Sequence, residues 1–153
     1  MTSTSSAVLF DGAEFFRVVT ASPSHYESKS ESFDLRTTEV EGGYVHEFWH
    51  VSPMRSGTTY DLRYVIRNPE PVEPYWLCEE SLAFHEPTRF ASFEVEFRGS
   101  MPAQVWKVDR LTAIERPGQP IRTNRPSFNQ GSVARAEYRD LYGGLFSGIA
   151  WDW

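Results

Sequence analysis

The chain has 153 residues, of which 40% are apolar and 15% aromatic, so it can form one packed domain and is too hydrophobic to be disordered. Its formal net charge of −6 argues against wholesale phosphate binding, so nucleic acid is not an expected partner. No apolar run approaches the roughly 20 residues of a membrane span, so a membrane is not an expected partner either.

The first part of the chain carries weak secondary-structure signals. Residues 1–6 are polar and are predicted to be disordered. Asp11 to Glu14 fits a capping box, which predicts at most one short N-terminal helix over residues 12–20, although FFRVV suits a strand equally well. The polar run SPSHYESKSES, residues 22–32, is typical of a loop.

The next part of the chain has a hydrophobic period close to two, which predicts β-strands. FDLRTTEV (33–40) ends at a Glu-Gly-Gly turn, and GYVHEFWHV (43–51) follows and is closed by a Ser-Pro pair. TTYDLRYVIR (58–67) alternates cleanly and predicts a half-buried strand. The prolines of NPEPVEPYW (68–76) predict an extended linker or an edge strand.

The C-terminal half repeats the same pattern. FASFEVEF (90–97) alternates, and QVWKVDRLTAI (104–114) places Trp106, Val108 and Ile114 on one side. Residues 115–132 contain three prolines and two glycines, which predicts a long loop. VARAEYRDL and LFSGIAWDW complete the chain with two further strand-like runs.

These short, regularly spaced strand-like segments predict the fold class, because such spacing is typical of sandwiches and barrels. We expect one all-β domain over residues 1–153, an antiparallel β-sandwich, with a small β-barrel as the alternative. Cys78 is the single cysteine, and the start of the chain lacks the basic residues and apolar core of a signal peptide. Both observations favour a cytoplasmic protein.

The stretch HEFWH, His46 to His50, matches the H-E-x-x-H pattern of zinc peptidases. On a helix the two histidines would share one face and bind zinc, with Glu47 as general base. Glu80 is the candidate third ligand, and Glu79, His85 and Glu86 are further options. On a strand the same spacing separates the two Cα atoms by roughly 13 Å, which hardly allows the imidazoles to converge. A zinc metallopeptidase is therefore an alternative that requires residues 44–52 to be helical.

The composition of this stretch favours a strand, because it is rich in Tyr, Val, Phe and Trp and is bounded by glycines and a proline. Alternate residues would then share one side, and aromatic rings mixed with histidines suit a ligand pocket of moderate polarity. The alternative is a packed core with histidines at its rim. The candidate ligand-binding residues are Tyr44, His46, Phe48, His50, Tyr60, Trp76 and Arg89. No cofactor is expected in this case.

The basic residues are concentrated near the predicted loop. Residues 107–139 contain seven basic and three acidic residues. One interpretation is an ordinary solvated face, and the other is a surface that meets an anionic partner. The candidate partner surface comprises Arg116, Arg122 and Arg125.

A series of turns and strands runs through the last two thirds of the chain. Its residues are Pro53, then Pro87-Thr88-Arg89 with Phe93, Val95 and Phe97, then Pro102 with Val105-Trp106, and finally Trp151 and Trp153. Over residues 50–153 this series resembles the β-rich C-terminal region of actinobacterial helix-turn-helix regulators. The resemblance implies a β-sandwich used as a sensing or partner-binding module. No helix-turn-helix pattern precedes it, so DNA binding is not implied.

The leading functional prediction is a non-enzymatic module that recognises a small molecule or a protein partner, as a sensor or an accessory protein. The zinc metallopeptidase is one alternative. A cavity-based β-barrel cyclase or isomerase is another, because such an enzyme needs no signature residues. An exposed strand edge would make a homodimer plausible.

Overall fold

The computed structural model describes residues 2–7, 13–20, 25–67, 77–85, 87–129 and 131–153. Within these ranges the chain forms twelve β-strands and one 3-10 turn at Arg122–Asn124. The strands, in chain order, are β1 (Thr2–Ala7), β2 (Ala13–Thr20), β3 (His25–Ser28), β4 (Phe33–Val40), β5 (Gly43–Met54), β6 (Thr59–Arg67), β7 (Leu77–Phe84), β8 (Thr88–Glu96), β9 (Gln104–Leu111), β10 (Ser127–Asn129), β11 (Val133–Leu141) and β12 (Leu145–Asp152).

These strands form three antiparallel sheets. One sheet is six-stranded with the order β10-β11-β8-β1-β6-β3, and the other two are three-stranded with the orders β7-β12-β9 and β2-β5-β4. As far as the structure describes the chain, none of the three sheets closes into a barrel. The prediction of an all-β antiparallel sandwich is therefore confirmed, and the alternative of a small barrel is wrong.

Both three-stranded sheets pack on the same face of the six-stranded sheet. Leu62 of β6 and Ala91 of β8 lie opposite the same residue, Thr4 of β1. Residues directly opposite each other in antiparallel strands point to the same face, so Leu62 and Ala91 share one. Leu62 packs with Phe48 of β5, whereas Ala91 packs with Ile149 of β12. The molecule therefore has one continuous layer and one layer that is divided in two.

Alternation of apolar and polar residues along the strands produces two hydrophobic cores, one under each three-stranded sheet. The first, under β2-β5-β4, contains Tyr26, Phe33, Phe48, Met54, Leu62 and Tyr64. The second, under β7-β12-β9, contains Phe84, Ala91, Phe93, Phe97, Ala134, Ala136, Tyr138, Leu141 and Ile149. Leu82 of β7 is half-buried and packs against both cores, so it lies at the junction between them.

A third cluster lies on the outer face of β9 and β12. Trp106, Val108 and Ala150 are buried there, with Leu111 and Phe146 packed against them. The indole Nε1 of Trp106 donates a hydrogen bond to the carbonyl of Pro117 at 2.9 Å, which ties the following segment to this face. That segment was predicted as a continuous loop over residues 115–132, but it contains the 3-10 turn and β10.

The structure confirms most of the predicted strands and corrects several boundaries. The HEFWH stretch lies in β5, as the strand interpretation required, but β5 continues through Ser52 and Pro53 to Met54. Residues 12–20 contain strand β2 in place of a helix, and the predicted loop 22–32 contains β3. The proline-rich residues 68–76 lie outside the described residues.

The largest departure from expectation is at the N-terminus. Residues 1–6 were predicted to be disordered, but Thr2–Ala7 form β1, which pairs with β6 on one side and β8 on the other. A run of serine and threonine has no apolar alternation, so the sequence pattern does not predict this strand, which forms through backbone pairing with β6 and β8.

Ile114 was expected beside Trp106 but is 95% exposed, because β9 ends at Leu111. No helix in the described ranges has the length and apolarity needed to cross a bilayer.

Candidate functional site

His46, the first histidine of HEFWH, lies inside the sandwich. Its side chain is 1% exposed, its Nδ1 lies 3.0 Å from the Thr37 hydroxyl on β4, and its ring stacks on Tyr26 of β3 at a centroid distance of 3.9 Å. Burial lowers the pKa of His46 below its ordinary value of 6.5. His46 is therefore a core residue that contacts both layers, and its burial disfavours the charged form of the imidazole.

The neighbouring predicted ligand residues extend this packing. Phe48 is fully buried with its ring centroid 5.0 Å from that of Tyr64. His50 is half-buried and makes edge contacts with Phe33 and Tyr60, at centroid distances of 4.9 and 5.0 Å. The structure thus brings His46, Phe48, His50 and Tyr60 together, but it places them in and around a packed core.

The other predicted ligand residues are more distant from this cluster. Tyr44 is half-buried at the start of β5. Arg89 is exposed on β8, in the opposite layer. Trp76 lies outside the described residues. The described residues of this predicted pocket that lie on β5 and β6 make packing contacts in the structure. The ligand pocket on this face stays a prediction.

The geometry does not support the zinc interpretation of HEFWH, since the helix that it required is a strand. Glu47 points away from the core, accepts hydrogen bonds from Arg17 Nη2 at 2.8 Å and Trp49 Nε1 at 3.1 Å, and has its pKa lowered chiefly by the bond from Arg17. A general base would instead need a pKa raised towards neutrality. Among the residues that the structure describes, no three His, Cys, Asp or Glu side chains could hold a metal ion together.

Glu80, the proposed third zinc ligand, lies on β7 in the other three-stranded sheet. Burial raises its pKa to about 7. Burial also raises the pKa of Tyr26, and the charge of Glu80 adds to this effect. Glu80 is therefore a half-buried carboxyl group whose charge acts on Tyr26.

A cavity that extends from the surface towards the cores lies elsewhere, where the divided layer leaves a gap between β2 and β7. We call it the slot. Its volume is about 260 Å³. Its walls come from both flanking strands and its floor from the six-stranded sheet: residues 15–18 of β2, residues 82–84 of β7 with the adjacent His85, Leu62 and Tyr64 of β6, and Thr88 of β8.

The inner part of the slot is apolar because each strand turns alternate hydrophobic side chains inward. Phe16 and Val18 of β2 pack against the first core. Phe84 of β7 belongs to the second core, and Leu82 contacts both. The slot is therefore the junction between the two cores.

The rim of the slot carries polar groups. Arg17 forms an ion pair with Glu47 at 2.8 Å on the outer side of β2, and His85 is exposed at the end of β7. Gly144 donates its N–H to the carbonyl of Phe84 at 2.9 Å, with φ at +72°. A Cβ atom at Gly144 would lie 3.1 Å from the His85 ring, so glycine allows this close approach.

The strands beside the slot are both sheet edges. Within the described ranges β2 pairs only with β5, and β7 pairs only with β12. Edge strands expose backbone N–H and C=O groups that a guest can reach. Apart from His85, a further option for the third zinc ligand, none of the slot residues was among the predicted site residues. FFRVV was compatible with a helix or a strand, and no strand was predicted over residues 77–84, so the sequence did not indicate two strand edges at this place.

The predicted partner surface is divided by the structure. Arg116 Nε lies 3.0 Å from Glu79 Oε1, and its guanidinium carbon is 4.0 Å from the centre of the Phe146 ring. Arg116 therefore anchors its segment to the β7-β12-β9 sheet. Arg122 and Arg125 are exposed.

Comparison of the chain with protein-family models, with curated proteins and with solved structures found no match.

Proposed function

We propose that the protein is a non-enzymatic recognition module that binds a small apolar molecule in the slot. The observation that carries this proposal is the division of one sandwich layer. The gap between β2 and β7 leaves about 260 Å³ over an intact six-stranded sheet. Ligand sites are typically concave, mostly apolar and edged by a few polar groups, which describes this slot.

The size of the slot limits its guest. An apolar cavity of about 150 Å³ accommodates a benzene molecule. The slot is larger, so it suits a substituted ring, a fused ring pair or a branched aliphatic chain. Phe16, Val18 and Leu82 would supply the apolar contacts, and His85 at the rim would meet a polar substituent.

The resemblance of residues 50–153 to the β-rich region of actinobacterial helix-turn-helix regulators supports a sensor or accessory role. In such a role, a guest in the slot would change how β2 and β7 sit relative to each other, since both strands contact it. The single cysteine, Cys78, supports a cytoplasmic location for this function.

Binding can be tested with N-phenyl-1-naphthylamine, a neutral fluorescent probe with a fused ring. We expect saturable fluorescence enhancement with the wild-type protein. Val18→Phe places extra volume in the slot, because Val18 lines it, and should weaken binding by about tenfold or more. Val51→Phe is the matched control, because Val51 is 67% exposed on the same three-stranded sheet.

The comparison between the two variants decides the proposal. Circular dichroism spectra and urea midpoints show whether each variant is folded. Equal probe affinity in wild-type protein and a folded Val18→Phe variant would contradict binding in the slot. Absence of saturable binding to the wild type would also contradict it.

A further inference from the structure

A second concave surface lies at another edge of the sandwich, where β9 passes beside β10 and β11. Its volume is about 600 Å³, and it is lined by Lys107 of β9, residues 125–127 and residues 135–137. We call it the basic groove. It includes Arg125, a member of the predicted partner surface, and it shares no residue with the slot.

The charges in the basic groove are only partly balanced. Arg135 pairs with Glu137 at 2.8 Å and with Glu94 at 3.4 Å. In the described part of the chain, no carboxylate forms an ion pair with Lys107 or Arg125. Two positive side chains therefore stand uncompensated on a protein whose net charge is −6. Such a local excess attracts anionic groups.

Arg135 adds a second sign of incomplete pairing. Its Nε atom is buried, and no hydrogen-bond acceptor among the described residues reaches it. A buried donor without an acceptor costs stability, so the carboxylates of Glu94 and Glu137 do not fully satisfy the side chain of Arg135.

The backbone beside the groove is also open. The ladder between β10 and β11 covers only Val133–Arg135 of β11, although β11 extends to Leu141. Further along, the carbonyl of Arg139 accepts a hydrogen bond from Arg110 Nη2 at 2.7 Å. Residues 136–138 thus pair with β8 on one side and, within the described ranges, have no strand on the other.

We infer that the basic groove binds an extended acidic segment of a protein partner. The segment would add a short strand next to residues 136–138 of β11, in line with β10, as peptides do at open sheet edges. Its carboxylates would pair with Lys107 and Arg125, which lie in the groove wall. The charge match selects an acidic segment, and the open edge selects an extended backbone.

Fluorescence polarisation with a labelled oligoglutamate peptide tests this inference. We expect binding at low ionic strength that weakens as salt is added. Arg125→Glu should weaken binding by about tenfold, since it replaces an attraction with a repulsion inside the groove. Arg122→Glu is the matched control, because Arg122 is exposed three residues away, lies outside the groove and gives the same net charge.

A second peptide tests the backbone contact. Alternating glutamate and proline keeps carboxylates but removes half of the backbone N–H groups and disfavours strand pairing. At equal charge this peptide should bind several-fold more weakly than oligoglutamate. An equal loss of peptide affinity in Arg122→Glu and Arg125→Glu would overturn the inference. It would show that binding depends on the net charge of the protein and not on a contact in the groove. Equal affinity of the two peptides, or no binding of oligoglutamate to the wild type, would overturn it too.

Discussion

Tyr26 stacks on His46 with their ring centroids 3.9 Å apart, and this contact joins the two layers of the sandwich. Tyr26 belongs to β3 at the edge of the six-stranded sheet, and His46 to β5 in the centre of a three-stranded sheet. The first histidine of a zinc-like sequence is thus part of the hydrophobic packing. The protonation of His46 should therefore affect the stability of the fold, which unfolding experiments measure.

The pH dependence of stability should report the burial of His46. Because its pKa is lowered in the folded state, the unfolded chain binds a proton more readily below about pH 6.5. The contribution of His46 to stability is therefore complete above that pH and declines as the solution is acidified. We expect the urea midpoint of the wild type to fall between pH 7 and pH 5, and His46→Gln to show a shallower fall.

His85→Gln is the control for this experiment, because His85 is exposed at the end of β7. Its pH profile should follow that of the wild type. Parallel profiles for wild type and His46→Gln would show that His46 is not the group responsible.

The ionisation of Glu80 should change the stability of the protein with pH in the direction opposite to that of His46. Burial raises its pKa from the ordinary 4.5 to about 7, so the unfolded chain ionises Glu80 more readily than the folded protein does. Glu80 therefore costs stability as the pH rises from 4.5 to 7. Glu80→Gln should raise the free energy of unfolding by about 1–2 kcal/mol at pH 7.5, allowing for partial solvent screening, and by much less near pH 4.5.

Glu94→Gln offers a matched control for Glu80→Gln, since Glu94 is a half-buried carboxyl on β8. It pairs with Arg135, so its removal should not stabilise the protein. If Glu80→Gln raises the free energy of unfolding equally at both pH values, the gain comes from packing and not from the ionisation of Glu80.

Leu82 should be a sensitive position because it packs against both cores. Truncation to alanine leaves a void at their junction, and we expect a loss of about 2 kcal/mol in the free energy of unfolding. Ile114→Ala is the control, because Ile114 is 95% exposed and should change stability by less than about 0.5 kcal/mol. Urea unfolding of both variants measures the difference. Equal effects would contradict the position of Leu82 between the cores.

Trp106 should hold the segment after β9 in place. Trp106→Phe keeps a large ring but removes the hydrogen bond from Nε1 to the Pro117 carbonyl, at a cost of about 1 kcal/mol. Hydrogen exchange should quicken at Gly118, whose N–H donates to the Glu115 carbonyl in the same turn. Unchanged exchange there would show that other contacts, such as Arg116 with Glu79, suffice to hold the segment.

Several strands could be predicted from the sequence because their burial is one-sided. TTYDLRYVIR and FASFEVEF alternate over most of their length, and they form most of β6 and β8. β1 could not be predicted in this way. Its sequence, TSTSSA, has no apolar period, and it is a strand because β6 and β8 pair with it on both sides.

The sequence by itself predicted an all-β fold from its alternating segments, with a sandwich as the first choice and a small barrel as the alternative, and the composition of HEFWH favoured a strand over a helix. Only the tertiary structure decided that the His46 face packs against Tyr26 and that cavities open beside β2 and β11. The physical reason is that side-chain alternation is a local property of a strand, whereas an open edge depends on which distant strands pair. The sequence around Val18 and Arg125 does not distinguish these residues from their neighbours. The arrangement of the sheets places Val18 in the slot and Arg125 in the basic groove.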